Sequence, residues 1–225
     1  MEISSLFKEK KPVVSFEIFP PKQTSSIDTI YETLDGLYGL KPDFISVTYS
    51  AGGSGGANHL TCDIASIIKE KYHIMPIAHL TCVNSTKDEV LSNLAQLKEN
   101  GIDNILALRG DIRPDVEPKH DFEHASDLTA FIKAHGEFSV SGACYPETHY
   151  ESEDAISDIL NLKKKVDAGA EHLISQLFFD NDAFYSFVER ARIAGITVPI
   201  EAGIMPVVNK KQIERRDSTV ASLSK

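Results

Sequence analysis

A (β/α)8 barrel of the TIM type is the α/β fold this sequence predicts, and three observations carry it. Seven apolar, strand-like runs alternate with helical stretches along 225 residues. Each strand-plus-helix unit takes about 30 residues, the size of a right-handed crossover between parallel strands. No G-x-G-x-x-G follows the first strand, so the dinucleotide fingerprint of a doubly wound sheet is missing. Residues 1–225 are expected to form one barrel domain.

The lead-in MEISSLFKEKKP has no apolar core of signal-peptide length and reads as a short segment ahead of the barrel. Residues 13–19 (VVSFEIF) form the first strand, Pro20 and Pro21 stop it, and Ser25-Ser26-Ile27-Asp28 opens a helix ending near Gly39. Residues 44–49 (FISVTY) are the second strand. The glycines of AGGSGGANH that follow suit mobility or a close approach to a ligand, and a helix runs from about Leu60 to Lys71. The third strand is PIAHL at 76–80, and its helix, 87–99, is stopped by Asn100-Gly101. NILAL at 104–108 reads as a strand buried on both faces. After the irregular stretch 112–123 comes a helix at 125–134. The fifth strand, 138–143, leads to a helix over about 153–169; the sixth, 172–177, leads to a helix at 183–194. The seventh strand, 198–202, ends in Gly203-Ile204-Met205-Pro206, with a further helix expected from about Asn209.

Composition narrows the function. A formal charge of −10, with no obvious Lys- and Arg-rich face, disfavours nucleic acid as a partner. No apolar run approaches the ~20 residues that span a bilayer. Cys62, Cys82 and Cys144 are far apart and lack metal-ligand spacing, so they read as reduced thiols of a cytoplasmic protein.

A barrel of this kind carries its active site at the C-terminal ends of its strands. Glu17, Thr48 and Tyr49, His79 and Thr81, Arg109 and Asp111, Cys144, Tyr145 and His149, Gln176, and Glu201 all stand there. Any one of them is explained by an ordinary polar strand end; seven ends converging on one face point to a site. In NILALRGD, Gly110 allows close backbone approach, Arg109 offers a planar fork and Asp111 a carboxylate, although an Arg109–Asp111 pair that only tidies the strand end fits as well. Glu17 sits among Phe16, Ile18 and Phe19, where desolvation would raise its pKa and suit it to general-acid work. The first strand has no histidine, and His79 with His149 alone does not make a zinc site. No strand carries a lysine for Schiff-base chemistry. A broad, polar, metal-poor mouth suits a large organic cofactor.

VSFEIFPPK at 14–22, ISVTYSAGG at 45–53, AHLTC at 78–82, ALRGD at 107–111, CYPETH at 144–149, LNLKKKVDAGA at 160–170, SQLFFD at 175–180 and GIMPV at 203–207 resemble 5,10-methylenetetrahydrofolate reductase of the short bacterial type. The likeness runs from about Ser15 to Gln212, with all eight motifs in order. It implies a barrel holding FAD that takes hydride from NADH or NADPH and passes it, by ping-pong kinetics, to methylenetetrahydrofolate for methionine synthesis. A homo-oligomer is expected. By the resemblance Glu17 is the acid that opens the folate ring to an iminium, and Asp111 is the carboxylate that stabilises that cation beside flavin and folate. Thr48, Tyr49, Ala51, His79, Arg109, Gly110, Asp111, Ala125, Tyr145 and His149 match flavin contacts. So do Asp158, Asn161, Lys164 and Lys165, whose lysines would face the pyrophosphate; read from the residues alone, the KKK run is a solvated face. Gln176 and Gln212 match pterin-binding residues, Gln176 also nicotinamide. His124 stands where relatives can carry tyrosine.

Beyond Gln212 the family continues into an eighth strand, whereas here the chain reads IERRDSTVASLSK, with Arg216 where an apolar or aromatic residue is expected over the ligand. The expectation is a barrel with its eighth unit missing or incomplete, C-terminally truncated relative to the family. A non-catalytic remnant with an unclosed barrel is the alternative to an active reductase, and a flavin-free lyase or hydrolase on the same fold is a third reading.

Overall fold

The computed structural model describes residues 2–9, 12–21, 28–49, 57–112 and 116–206. Among these residues seven strands run parallel: β1 (Ser15–Ile18), β2 (Phe44–Val47), β3 (Met75–Thr81), β4 (Asn104–Leu108), β5 (Ser139–Cys144), β6 (Ala170–Ser175) and β7 (Ile200–Glu201). A short helix, α1 (Ile3–Glu9), precedes them. Between and around them lie α2 (Asp28–Tyr38), α3 (Ala57–Tyr72), α4 (Lys87–Glu99), α5 (Ala125–Ala134), α6 (Ala155–Asp167) and α7 (Asn181–Ile193). Every strand pairs with its successor, in the order β1-β2-β3-β4-β5-β6-β7. Laid flat, six strand spacings of ~4.8 Å would separate the outer strands by roughly 29 Å. Instead the Ser15 hydroxyl on β1 donates to Glu201 on β7 at 2.8 Å, so the sheet curls round on itself as a barrel does.

Alternation along each strand sorts the apolar residues between two layers. Ile45, Val47, Ala78, Leu80, Ile105, Ala107 and Val140 face outward and pack with residues of α2 to α5 such as Ile30, Ile64, Val90 and Leu128. Phe44, Ile77 and Leu106 face inward, where Ile3 joins them. The lead-in segment is therefore not a simple approach to the barrel. Ile3, Leu6 and Phe7 recur at helical spacing, and α1 lays them over the interior as a floor, with Ile3 fully buried.

Element boundaries differ from expectation mainly at the sixth strand, which spans 170–175 instead of 172–177. A register irregularity between Val140 and Ser141 resets its pairing with β5, so Gln176 follows the strand and is not inside it. The seventh strand is two residues long. Helix α4 begins with a reciprocal cap between Thr86 and Glu89 and is closed by Gly101 at φ +63°. Among the described residues no helix is long and apolar enough to cross a membrane.

Candidate functional site

The C-terminal ends of β2 to β5, the loops beyond them and one face of α6 enclose a cleft of about 990 Å3. Thr48, Tyr49, His79, Arg109, Gly110 and Asp111 line one part of it; Ala125, Tyr145, His149, Asp158, Asn161, Lys164 and Lys165 line the rest. The last four recur at helical spacing, which puts them on one side of α6. Gly110 has φ +87°, and a Cβ there would stand 3.1 Å from Thr81 Cβ and 3.2 Å from Val83 Cγ1, so the backbone runs close beneath the cleft. The Arg109 carbonyl accepts hydrogen bonds from the backbone of Cys82 (3.1 Å) and Val83 (2.8 Å), which ties the end of β4 to the loop after β3.

Arg109 does not pair with Asp111. Its Nη2 donates to Glu151 Oε1 at 2.9 Å and its Nη1 to Glu151 Oε2, a bidentate fork on a carboxylate from the loop between β5 and α6. The hydrogen bond from Arg109 holds the Glu151 carboxyl below the usual range. Glu151 had no sequence signal of its own beyond lying two residues after His149. The same loop is braced by His149, whose Nδ1 accepts from the Glu151 backbone N–H at 3.2 Å and whose ring meets Tyr145 edge-on at 4.5 Å.

Of the three lysines, Lys163 faces away and pairs with Asp167. Lys165 turns inward: its Nζ donates to the Ala143 carbonyl at 2.6 Å, and burial lowers its pKa. Lys164 Nζ reaches Asn161 Oδ1 at 3.1 Å on the exposed side of the cleft. Lys164, the exposed member of the run, is solvated as well as cleft-lining, Lys163 is half-buried, and only Lys165 departs from the solvated-face reading.

Glu17 and Gln176 do not line this cleft. Glu17 Oε2 lies 3.5 Å from His79 Nε2, which links it to the cleft wall. The Glu17 side chain is 45% exposed, yet desolvation outweighs its hydrogen bond with Ser46 and raises its pKa. Gln176 is exposed just past β6; its backbone N–H donates to the Cys144 carbonyl at 2.7 Å and its Oε1 accepts from Leu177 N–H. Ala51 and Gln212 lie outside the described residues, as do the glycine-rich residues 50–56 and the tail from 207, Arg216 included.

His79 is 6% exposed, and burial brings its pKa down to about 4. An ionised Glu17 pulls the other way, but an imidazole this enclosed stays neutral at pH 7. The unfolded chain titrates the same ring near its ordinary 6.5. Between those values the unfolded state binds more protons, so this group's share of stability falls as pH drops from 6.5 to 4. Glu17, raised, contributes with the opposite sign. Urea unfolding of wild type and His79→Gln at several pH values is expected to diverge across that window by on the order of 3 kcal/mol. Parallel curves would show that the ring protonates freely in the folded chain.

Residues 2–223 match the family described as Methylenetetrahydrofolate reductase. The 5,10-methylenetetrahydrofolate reductase of Salmonella typhimurium is 42% identical over 203 residues, covering 90% of this chain and 67% of that protein. The Escherichia coli protein of the same name gives the same figures. Methylenetetrahydrofolate reductase (NADH) 1 of Arabidopsis thaliana is 37% identical over 225 residues, 93% of this chain and 38% of that one. The chain thus spans about two thirds of the length of these bacterial relatives, 67% in both cases. Among solved structures, an uncharacterized protein from Clostridium thermocellum, described as binding two copies of 5-methyl-5,6,7,8-tetrahydrofolic acid, superposes with a TM-score of 0.66 at 18% identity. It covers 95% of this chain and 74% of its own. A putative phosphonomutase from Burkholderia cenocepacia follows at 0.57 and 12%, covering 99% and 98%. At such identities these structures establish the fold and nothing of the chemistry.

Proposed function

The chain belongs to the methylenetetrahydrofolate reductase family, and from that premise we propose that it reduces 5,10-methylenetetrahydrofolate to 5-methyltetrahydrofolate with NADH or NADPH, holding FAD as its cofactor. The observation that carries the reading is the convergence, in one cleft at the C-terminal ends of the strands, of residues the family resemblance picks out across the chain from Thr48 to Lys165. The donor set fits FAD. Lys164 and Lys165 supply point charges for a pyrophosphate, and Gly110, at φ +87°, keeps the end of β4 packed on Thr81 and Val83 beneath the cleft. Tyr145 and His149 add aromatic walls. When bound, FAD supplies two-electron hydride acceptance and release, which separates the nicotinamide step from the folate step.

The chain's own residues do the rest. Glu17, with its pKa raised, retains a proton further toward neutral pH than an ordinary carboxyl and delivers it to a folate ring nitrogen, opening the ring. His79, kept neutral by burial, stands with Nε2 3.5 Å from that carboxyl and adds no positive charge beside it. Asp111 presents a negative charge at the cleft that favours the cationic folate. Gln176, and Gln212 by resemblance, orient the pterin. Asp111→Asn is expected to slow the folate step roughly 10- to 100-fold while making the flavin easier to reduce, because a fixed anion near the ring opposes added negative charge. An unchanged midpoint potential would count against this placement of Asp111.

The test of the proposal is the visible spectrum of the purified chain under anaerobic conditions. NADH or NADPH should bleach a flavin band, and methylenetetrahydrofolate should restore it. Protein that is colourless and stays so with added FAD would overturn the reading.

A further inference from the structure

Glu201 stands at the end of β7 yet does not line the cleft. Its carboxylate turns into the barrel and meets two partners: the Ser15 hydroxyl donates to Oε1 at 2.8 Å, and His172 Nε2 lies 3.5 Å from Oε2. His172 in turn holds its Nδ1 3.1 Å from the Ser141 hydroxyl. Polar side chains from β5, β6, β7 and β1 thus meet in the interior, with His172 Nε2 and Glu201 Oε2 in proximity and without a hydrogen bond among the described residues. They are enclosed: the His172 side chain is 1% exposed and that of Glu201 12%, and the rings of Phe7 and Phe44 pack on the imidazole. Serine, histidine and glutamate in series also make a nucleophilic triad elsewhere, but Ser141 is 1% exposed and no substrate can reach it.

A buried polar contact is a weak source of net stability, since apolar groups of the same shape do as well; its better-attested use is to fix register. Here the thing registered is β1. Among the described residues β1 is an outer strand, paired along its length with β2 only. The Ser15–Glu201 bond holds it from the other side. Ser15 and Glu17 lie two residues apart on one face of the strand, so anchoring the first sets the depth of the second. We propose that Ser15 and Glu201, backed by His172, are positioning residues that hold Glu17 where its carboxyl meets His79. This rests on the reductase reading, in which Glu17 is the proton donor.

The test uses the full chain with FAD and two substitutions at Ser15. Ser15→Ala deletes the hydroxyl, and Ser15→Thr keeps it. In the alanine variant the folate half-reaction should fall roughly fivefold while reduction by NADH stays within about twofold. The alkaline limb of the folate half-reaction, which follows loss of the Glu17 proton, should move to lower pH as the released carboxyl gains water. Threonine should restore both rate and profile. Equal loss in both half-reactions, or a profile that does not move, overturns the positioning role. Amide hydrogen exchange supplies a readout that needs no turnover: residues 13–19 should exchange roughly fivefold faster in Ser15→Ala, with β3 and β4 unchanged. Unaltered exchange there overturns the tie itself, whether or not the flavin is present. A wild-type chain that NADH cannot reduce overturns the reductase reading instead, and with it the role toward Glu17, while the exchange result still decides the tie.

Discussion

Replacing Glu17 with glutamine should slow folate reduction roughly a hundred- to ten-thousandfold and leave reduction by NADH within about twofold. The asymmetry follows from what each half-reaction asks of the side chain. Hydride transfer from a nicotinamide needs no proton from the protein, whereas opening the folate ring does. Glutamine keeps the size and hydrogen-bonding capacity of the side chain beside Ser46 and His79, and removes only the titrating group. Stopped-flow measurement of the two half-reactions separates the outcomes. Comparable losses in both would mean that Glu17 shapes the pocket and does not donate the proton.

The largest structural effect is expected at Gly203. A Cβ built there would fall 2.2 Å from the Ser175 carbonyl oxygen, a backbone atom that cannot swing aside. Gly203→Ala must push β7 from the end of β6, at a cost of about 3 kcal/mol, or a fall in Tm of roughly 6–12 °C. The damage would reach the candidate site as well. Ser175 Oγ accepts from Gly203 N–H at 2.9 Å and donates to the Gln176 carbonyl at 3.0 Å, so moving Ser175 moves Gln176. Gly36→Ala in α2 is the control, because a Cβ there meets nothing within 4 Å and the helix gains from alanine. A Gly203→Ala melting curve that overlays wild type would show that the two strand ends separate without strain.

The alternation of strands and helices was readable from residue pattern because almost every element buries a face against the barrel wall. Helices α4 and α5 fell on their expected residues for that reason, helped by the Asn100-Gly101 stop in one case. Helix α1 escaped notice because seven residues are too few to be a helix by propensity; it exists because Ile3 has an interior to fill. The offset of β6 arises from a register irregularity opposite Ser141, which no property of the sixth strand foretells. Residues at strand ends could be nominated from sequence, but their partners could not. Arg109 looked to its neighbour Asp111 and found Glu151, 42 positions away, on a loop with no periodicity. Glu201 was visible as a strand-end carboxylate, while its meeting with Ser15 and His172 depends on the curl of the whole sheet.

The consecutive strand order has a bearing on how the molecule is made. A chain emerging from the ribosome can dock each new βα unit on the one before it, since every pairing is with the preceding strand. Only local loops need close, and those cost little entropy. The Ser15–Glu201 bond is different: its partners are 186 residues apart, so it forms after nearly everything else has been synthesised. At ~5–20 residues per second, β1 waits roughly 10–40 s before that side-chain tie can hold it from its outer side. During that interval the nascent chain offers a parallel-strand template to any neighbour on the same messenger, and chaperone capture of the growing chain is the natural safeguard for it.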